Sequence, residues 1–248
     1  DNIGEDDLDW TTYAHTFSDV DSDTLIPWRP DMLVETAWHA IFYEFIYRGF
    51  AQDGLCFGMA AELGRVIAGQ STMTQPVNRY GRGDALFNIC LRHGQQIGHR
   101  VVQWFVSQFP EQTWDPKRVF NEAEAAFNRG ELPILCVTTS LFGIGHVVFP
   151  YAFAKNGDNW VISVANPSAP TASNNAAASE IRIDAAANTF TLDGKYQGGH
   201  YSGGLLYHIP FSRYAPEPRT PSYEALIALL AAGTLVALAD GGSTRQIS

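Results

Sequence analysis

The chain has 248 residues, 46% of them hydrophobic, which is enough to bury one large core or to form two lobes that share a cleft. Its 26 acidic and 16 basic side chains give a formal net charge of −10. Nucleic acids and anionic membranes bind basic surfaces, and the Lys and Arg residues form no run, so we expect neither partner.

Neither the cysteines nor the first residues determine the cellular compartment. Three cysteines, Cys56, Cys90 and Cys136, are too few for a disulfide framework, and at most one pair could form. The first residues are acidic and lack the basic and apolar segments of a signal peptide. We expect an excised domain or a processed product, either soluble or exported as part of a larger protein.

Residues 1–30 are predicted to form an acidic amino-terminal arm. No Lys or Arg precedes Arg29, and a stretch of like charge is typical of a solvated segment. Aromatic and aliphatic residues alternate with the acids, so we expect the arm to pack on the body of the domain near its cleft. Residues 19–23 lack the glycine and the closing glutamate of a calcium loop, and we predict no metal there.

Residues 31–130 are predicted to form a helical lobe, because hydrophobic residues recur there at helical spacing. Gly94 and Gly98 are expected to kink or split the third of its helices. The predicted helices cover residues 31–50, a segment from Cys56 to about Gly69, residues 83–109 and residues 115–129.

Residues 131–210 are predicted to form an antiparallel sheet lobe, since apolar runs of strand length alternate there with turn signals. The predicted strands are residues 132–138, 146–154, 160–165, 180–184, 189–192 and 205–209. Helices followed by strands indicate an α+β fold with a helical lobe packed against the sheet.

Residues 211–248 are predicted to hold an apolar helix and a tail. The apolar run 225–239 has 15 residues and is shorter than the roughly 20 residues that cross a bilayer. We expect a helix that is buried or covered by a partner. Membrane contact and a dimer interface are the alternatives.

Cys56 stands where a loop turns into a helix. Gly54 loosens the backbone before it, and Met59 to Leu63 are good helix formers. At a helix amino terminus the unpaired N–H groups and the helix dipole favour a thiolate, which is the nucleophilic form. The alternative is that Cys56 is a small buried apolar residue.

Two later residues could complete a thiol site. His146 begins an apolar strand after Gly145, and Asn166 ends the next strand. A β-hairpin places such residues side by side. The order Cys56, His146, Asn166 supplies a nucleophile, a base and a group that orients the base.

These three segments resemble the papain-like cysteine peptidases in their divergent bacterial form. That pattern reads G-x-C-F-G-M-A around the nucleophile, G-H-x-V-x-P-Y around the base and N-P at the third residue, and it covers about residues 50–170. Related bacterial sequences often have Asp where this chain has Asn166. The resemblance implies a papain-like α+β fold in which the helical lobe carries the nucleophile and the sheet lobe carries His and Asn.

The resemblance also implies the chemistry. Cys56 would attack a peptide or isopeptide carbonyl, His146 would move the proton, and Asn166 would orient the imidazole. The Gln52 side chain would join the Cys56 N–H in the oxyanion hole, although it lies closer to the cysteine than in papain. The implied partner is a protein or peptide substrate, which includes ubiquitin-like proteins, and no cofactor is implied.

Three other functions remain open. The same triad serves acyl transfer, deamidation and cleavage of ubiquitin-like tails in effector or toxin domains. A non-catalytic protein-binding module is the alternative from another class. A metal enzyme would use His200 and His208, but no further ligand stands at the required spacing, and His93 and His99 do not share a helix face, so we predict no metal.

Overall fold

The structure, a computed structural model, describes residues 9–20, 33–48, 54–71, 82–108, 115–139, 145–167, 179–194, 196–199, 202–216 and 218–222. Within these ranges helices come first and an antiparallel sheet follows, so the predicted α+β class is confirmed.

The helices of the described residues lie mostly before residue 130. They are α1 (Trp10–Thr16), α2 (Leu33–Phe42), α3 (Cys56–Ile67), α4 (Arg82–Gly94), α5 (His99–Ser107), α6 (Pro116–Asn128) and α7 (Phe211–Tyr214). A π-helical segment, Tyr43–Tyr47, continues α2, and a 3-10 turn, Gln95–Ile97, separates α4 from α5. The Asp115 carboxylate caps α6 by accepting a hydrogen bond from the Arg118 N–H, as the sequence pattern indicates.

The predicted helix over residues 83–109 is split into α4 and α5. Gly98 has extended backbone with a ψ of 152°, which a helix cannot contain. At Gly94 an added Cβ would lie 2.6 Å from the Tyr47 ring and 2.8 Å from the Thr16 methyl group. Gly98 therefore ends the helical backbone, and Gly94 permits the close approach of α1 and of the π-helical segment after α2.

Eight strands of the described residues form one antiparallel sheet in the order β7-β6-β5-β4-β3-β2-β1-β8. They are β1 (Ile134–Thr138), β2 (Gly145–Asn156), β3 (Asn159–Ala165), β4 (Ser179–Asp184), β5 (Thr189–Leu192), β6 (Tyr196–Gly199), β7 (Ser202–Gly203) and β8 (Leu205–Ile209). Strands β6 and β7 were not predicted because their glycine-rich sequence has no hydrophobic alternation. A Cβ on Gly198 would lie 1.9 Å from the Gly204 carbonyl oxygen, so only glycine permits this approach.

Helices cover both faces of the sheet. Because side chains alternate along a strand, Cys136 and Val147 join a buried cluster with α3, whereas Val137 and Val148 join a second cluster with α6. The Phe120 ring of α6 is fully buried in the second cluster. The sheet therefore lies between α3 and α6, and α3 packs on strands β1 and β2.

The described part of the predicted acidic arm is packed on the helices. Asp9 caps α1 through the Thr12 N–H, and the rings of Tyr13 and Phe17 are buried in a cluster with α2 and α4. The Asp19 carboxylate accepts hydrogen bonds from Thr220, 3.0 Å from its backbone nitrogen and 2.7 Å from its hydroxyl. Residues 9–20 of the arm therefore pack on the helices, and one of the acids binds the carboxy-terminal segment.

Several predictions fall on residues that the structure does not describe. They concern Gln52, His200, residues 1–8 and 21–30 of the predicted arm, and the apolar run 225–239. Among the described helices none combines the length and the apolar character needed to cross a bilayer.

Candidate active site

Cys56 is the first residue of α3 and is half-buried. Gly54, whose φ of 102° is in the left-handed region, lets the chain turn into the helix. Leu55 occupies the N-cap and has no polar side-chain atom that could accept from the first-turn N–H groups. These N–H groups and the positive end of the helix dipole therefore favour a thiolate at Cys56.

Close packing holds the helix that carries Cys56. Phe57 and Ala61 are buried against the sheet, and α3 contacts strand β2 directly. On the opposite side α3 crosses α4 at Gly58, where an added Cβ would lie only 2.1 Å from the Ile89 carbonyl oxygen. The helix terminus therefore has little freedom to move relative to β2.

His146 lies at the start of β2, opposite Val137 of β1, and is 6% exposed. Asn166 follows the last residue of β3, and Ala165 pairs with Phe149. This register brings the two side chains together, with His146 Nε2 2.6 Å from Asn166 Oδ1. An amide oxygen only accepts, so Nε2 carries the hydrogen and Nδ1 of a neutral ring is the acceptor.

The NH2 group of the Asn166 amide also forms hydrogen bonds. Its Nδ2 donates to Ser179 Oγ at 3.1 Å and to Asp193 Oδ2 at 2.9 Å, and Ser179 Oγ donates to the same carboxylate oxygen at 3.0 Å. Ser179 begins β4 and Asp193 follows β5. Four elements of the sheet lobe thus converge on one hydrogen-bonded network.

Tyr196 of β6 is a further neighbour of His146. Its ring stacks on the His146 imidazole, with the ring centres 5.8 Å apart and the planes inclined by 14°. Burial and then the charge of Cys56 raise the pKa of the Tyr196 hydroxyl. Tyr196 is therefore a common neighbour of the thiol and the imidazole.

A negative charge on Cys56 also affects the pKa of two buried side chains. It contributes to the raised pKa of the Tyr207 hydroxyl and of the Cys136 thiol, both of which are raised mainly by burial. Cys136 and Cys90 are 2% and 1% exposed, in contrast to the half-buried Cys56. The chain therefore offers two buried cysteines as internal references for the reactivity of the third.

The structure brings His146 and Asn166 into direct contact and packs the Cys56 helix on the strand that carries His146. Gln52 is outside the described residues. Sequence reasoning missed Ser179, Tyr196 and Asp193, which lie near strand ends that are distant in the chain. Asp193-Gly194 was recognised only as a turn.

His93 and His208 are packed among neighbouring side chains. His93 is buried, and its Nε2 lies 2.9 Å from Gln96 Nε2. His208 packs against the edge of Trp104, with its Nδ1 3.8 Å from Glu122 Oε2. In the described residues no three His, Cys, Asp or Glu side chains are grouped so that they could hold a metal ion.

Comparison of the chain with protein-family models, with curated proteins and with solved structures finds no match.

Proposed function

We propose that the protein is a thiol hydrolase of papain-like fold that cleaves peptide or isopeptide bonds through Cys56, His146 and Asn166. The observation that carries the proposal is the 2.6 Å contact between His146 Nε2 and Asn166 Oδ1. It orients an imidazole on the strand against which the Cys56 helix packs. The contact selects the tautomer in which Nδ1 of the neutral ring can accept the proton of a thiol.

The proposed reaction begins with the thiolate of Cys56, formed by transfer of its proton to Nδ1 of His146. The sulfur attacks the carbonyl carbon, the imidazolium protonates the departing amine, and a thioester remains. His146 then removes a proton from water, which attacks the thioester and releases the acid and the thiol. Asn166 accepts from Nε2 throughout, which stabilises the charged ring.

The oxyanion of each tetrahedral intermediate would be held by the backbone N–H of Cys56 and by Gln52. The first of these is an N–H of the first turn of α3, where the amide groups point out of the helix end. Each such donor lowers the barrier by about 3 kcal/mol in other hydrolases.

Alkylation by iodoacetamide tests the thiol, because its rate follows the thiolate population. We expect peptide mapping to show Cys56 modified at pH 6 before Cys90 and Cys136, whose burial opposes the reaction. His146→Ala should lower the rate of Cys56 modification at pH 6, whereas His15→Ala, an exposed histidine on α1, should leave that rate unchanged. A Cys56 modification rate at pH 6 that His146→Ala leaves unchanged would overturn the proposal and favour a binding module.

Mass spectrometry of the products then identifies the reaction. Incubation with a mixed peptide library and with protein substrates should give cleaved products that are absent with Cys56→Ala. Products that are amidated on a lysine, or that gain the mass of deamidation without cleavage, would replace hydrolysis by acyl transfer or deamidation at the same triad.

A further inference from the structure

Asp193, which accepts a hydrogen bond from the Asn166 amide, has an unusual backbone conformation. Asp193 has a φ of 49° and is followed by Gly194 with a φ of 69°, so the turn after β5 uses two left-handed residues in succession. Glycine and asparagine suit such a position as well as aspartate does. The turn by itself therefore does not explain a carboxylate at residue 193.

The hydrogen bonds do explain it. An ionised carboxylate only accepts, so the group of Asn166 that faces Asp193 must be its NH2. The two amide hydrogens go to Ser179 Oγ and Asp193 Oδ2, and the Ser179 hydroxyl hydrogen also goes to Asp193. With its NH2 fixed in this way, Asn166 presents its oxygen to His146.

We propose that Asp193 is a positioning residue whose carboxylate, through the Asn166 amide, keeps His146 in the tautomer with hydrogen on Nε2. This inference rests on the proposed thiol hydrolase function. A flipped amide would direct Nδ2–H at Nε2 and force the hydrogen onto Nδ1, which could then no longer accept the thiol proton. The flipped amide would also destabilise the imidazolium, because the Nδ2–H of Asn166 and the Nε2–H of His146 would both be donors and would face each other.

The same geometry explains why the charge is on residue 193 and the amide on residue 166. An aspartate at 166 would bring two carboxylates to the 2.9 Å distance that now separates Asn166 Nδ2 from Asp193 Oδ2, with only the Ser179 hydrogen between them. Like charges at that distance repel strongly. Exchange of the two residues would restore one amide and one carboxylate.

The experiment measures the rate of Cys56 alkylation between pH 4 and pH 10 in four variants. Asp193→Gly removes the carboxylate and tolerates the left-handed backbone. Asn166→Asp introduces the second carboxylate, and the double variant Asn166→Asp with Asp193→Asn exchanges the pair. The matched control is Asn188→Gly, which removes a side chain from the other left-handed non-glycine position of the described residues, φ 53°, in the turn before β5.

We expect Asp193→Gly and Asn166→Asp each to lower the alkylation rate below pH 7 by about tenfold. Loss of the residue that orients a metal-ligating histidine has an effect of this size in metalloenzymes. The double variant should recover most of the rate that Asn166→Asp loses, and Asn188→Gly should match the wild type. A purely structural role for Asp193 would allow no such recovery. If wild-type Cys56 is selective but Asp193→Gly behaves as Asn188→Gly does, the positioning role is overturned and the hydrolase stands. A wild-type Cys56 rate that His146→Ala leaves unchanged would overturn the hydrolase itself.

Discussion

The Tyr196 ring stacks on the His146 imidazole at 5.8 Å with an angle of 14° between the planes, so the imidazole is held on its face as well as through Nε2. The hydrogen bond to Asn166 determines where Nε2 points, and the tyrosine restricts rotation of the ring about that bond. The hydrogen bond comes from the residue after β3, and the stacked ring comes from β6, a strand that also contacts β8.

Tyr196→Ala should lower the rate of Cys56 alkylation about fivefold, because stacked aromatic pairs contribute about 1 kcal/mol. Tyr196→Phe keeps the ring and should stay near the wild-type rate. Tyr151→Ala, an exposed tyrosine on β2, is the matched control. Loss of rate in the phenylalanine variant would indicate that the hydroxyl, and not the stacked ring, supports His146.

Gly58→Ala should destabilise the fold by about 3 kcal/mol, because the new Cβ meets backbone at the α3–α4 crossing. Helix propensity alone would favour alanine by about 1 kcal/mol, so the sign of the change tests the packing. The measurement is the urea midpoint. Met59→Ala, at an exposed position one residue further on, should change stability little. An unchanged midpoint for Gly58→Ala would mean that the two helices do not cross this closely.

His208 should make the protein less stable as the pH falls below about 6.5. Burial lowers the pKa of His208 more than nearby Glu122 and Glu131 raise it, so the unfolded chain binds the proton first. Stability is then complete above the unfolded pKa of about 6.5 and declines toward the lower folded value.

Urea unfolding at pH 7 and pH 5 measures this effect. The stability lost between the two pH values should be smaller in His208→Gln than in the wild type. His99, whose pKa burial also lowers, stays in both proteins and contributes equally. An identical loss in the variant would show that His208 takes up its proton in the folded state as easily as in the unfolded one.

Tyr214→Phe should cost about 1–2 kcal/mol of stability, since the buried hydroxyl donates to the Leu132 carbonyl before β1. This bond connects α7 to the start of the sheet. Tyr151→Phe removes the same atom from an exposed ring and should be neutral within about 0.5 kcal/mol. Thermal unfolding of both variants tests the difference, and equal stabilities would contradict it.

Local signals in the sequence predicted much of the fold. The α6 cap at Asp115, the break in the helix at Gly98, and the order of helices before strands depend on interactions within a few residues. The proximity of His146 and Asn166 was also predictable, because their strands are joined by a short hairpin. Their exact register was not, because the pairing of β2 with β3 shifts between Pro150 and Ala152. The start of a helix at Cys56 follows in the same way from Gly54 and the helix formers after it.

Only the tertiary structure decided that Ser179, Asp193 and Tyr196 surround the imidazole and its amide. They come from β4, the turn after β5, and β6, and their distance from His146 depends on the pairing of every strand between them. An Asp-Gly turn has the same sequence pattern whether the aspartate carboxylate is solvated or accepts a hydrogen bond from an amide. The sequence determined which side chains could perform the chemistry, whereas the packing of the whole sheet determined which side chains hold them in place, because that support is assembled across strands far apart in the chain.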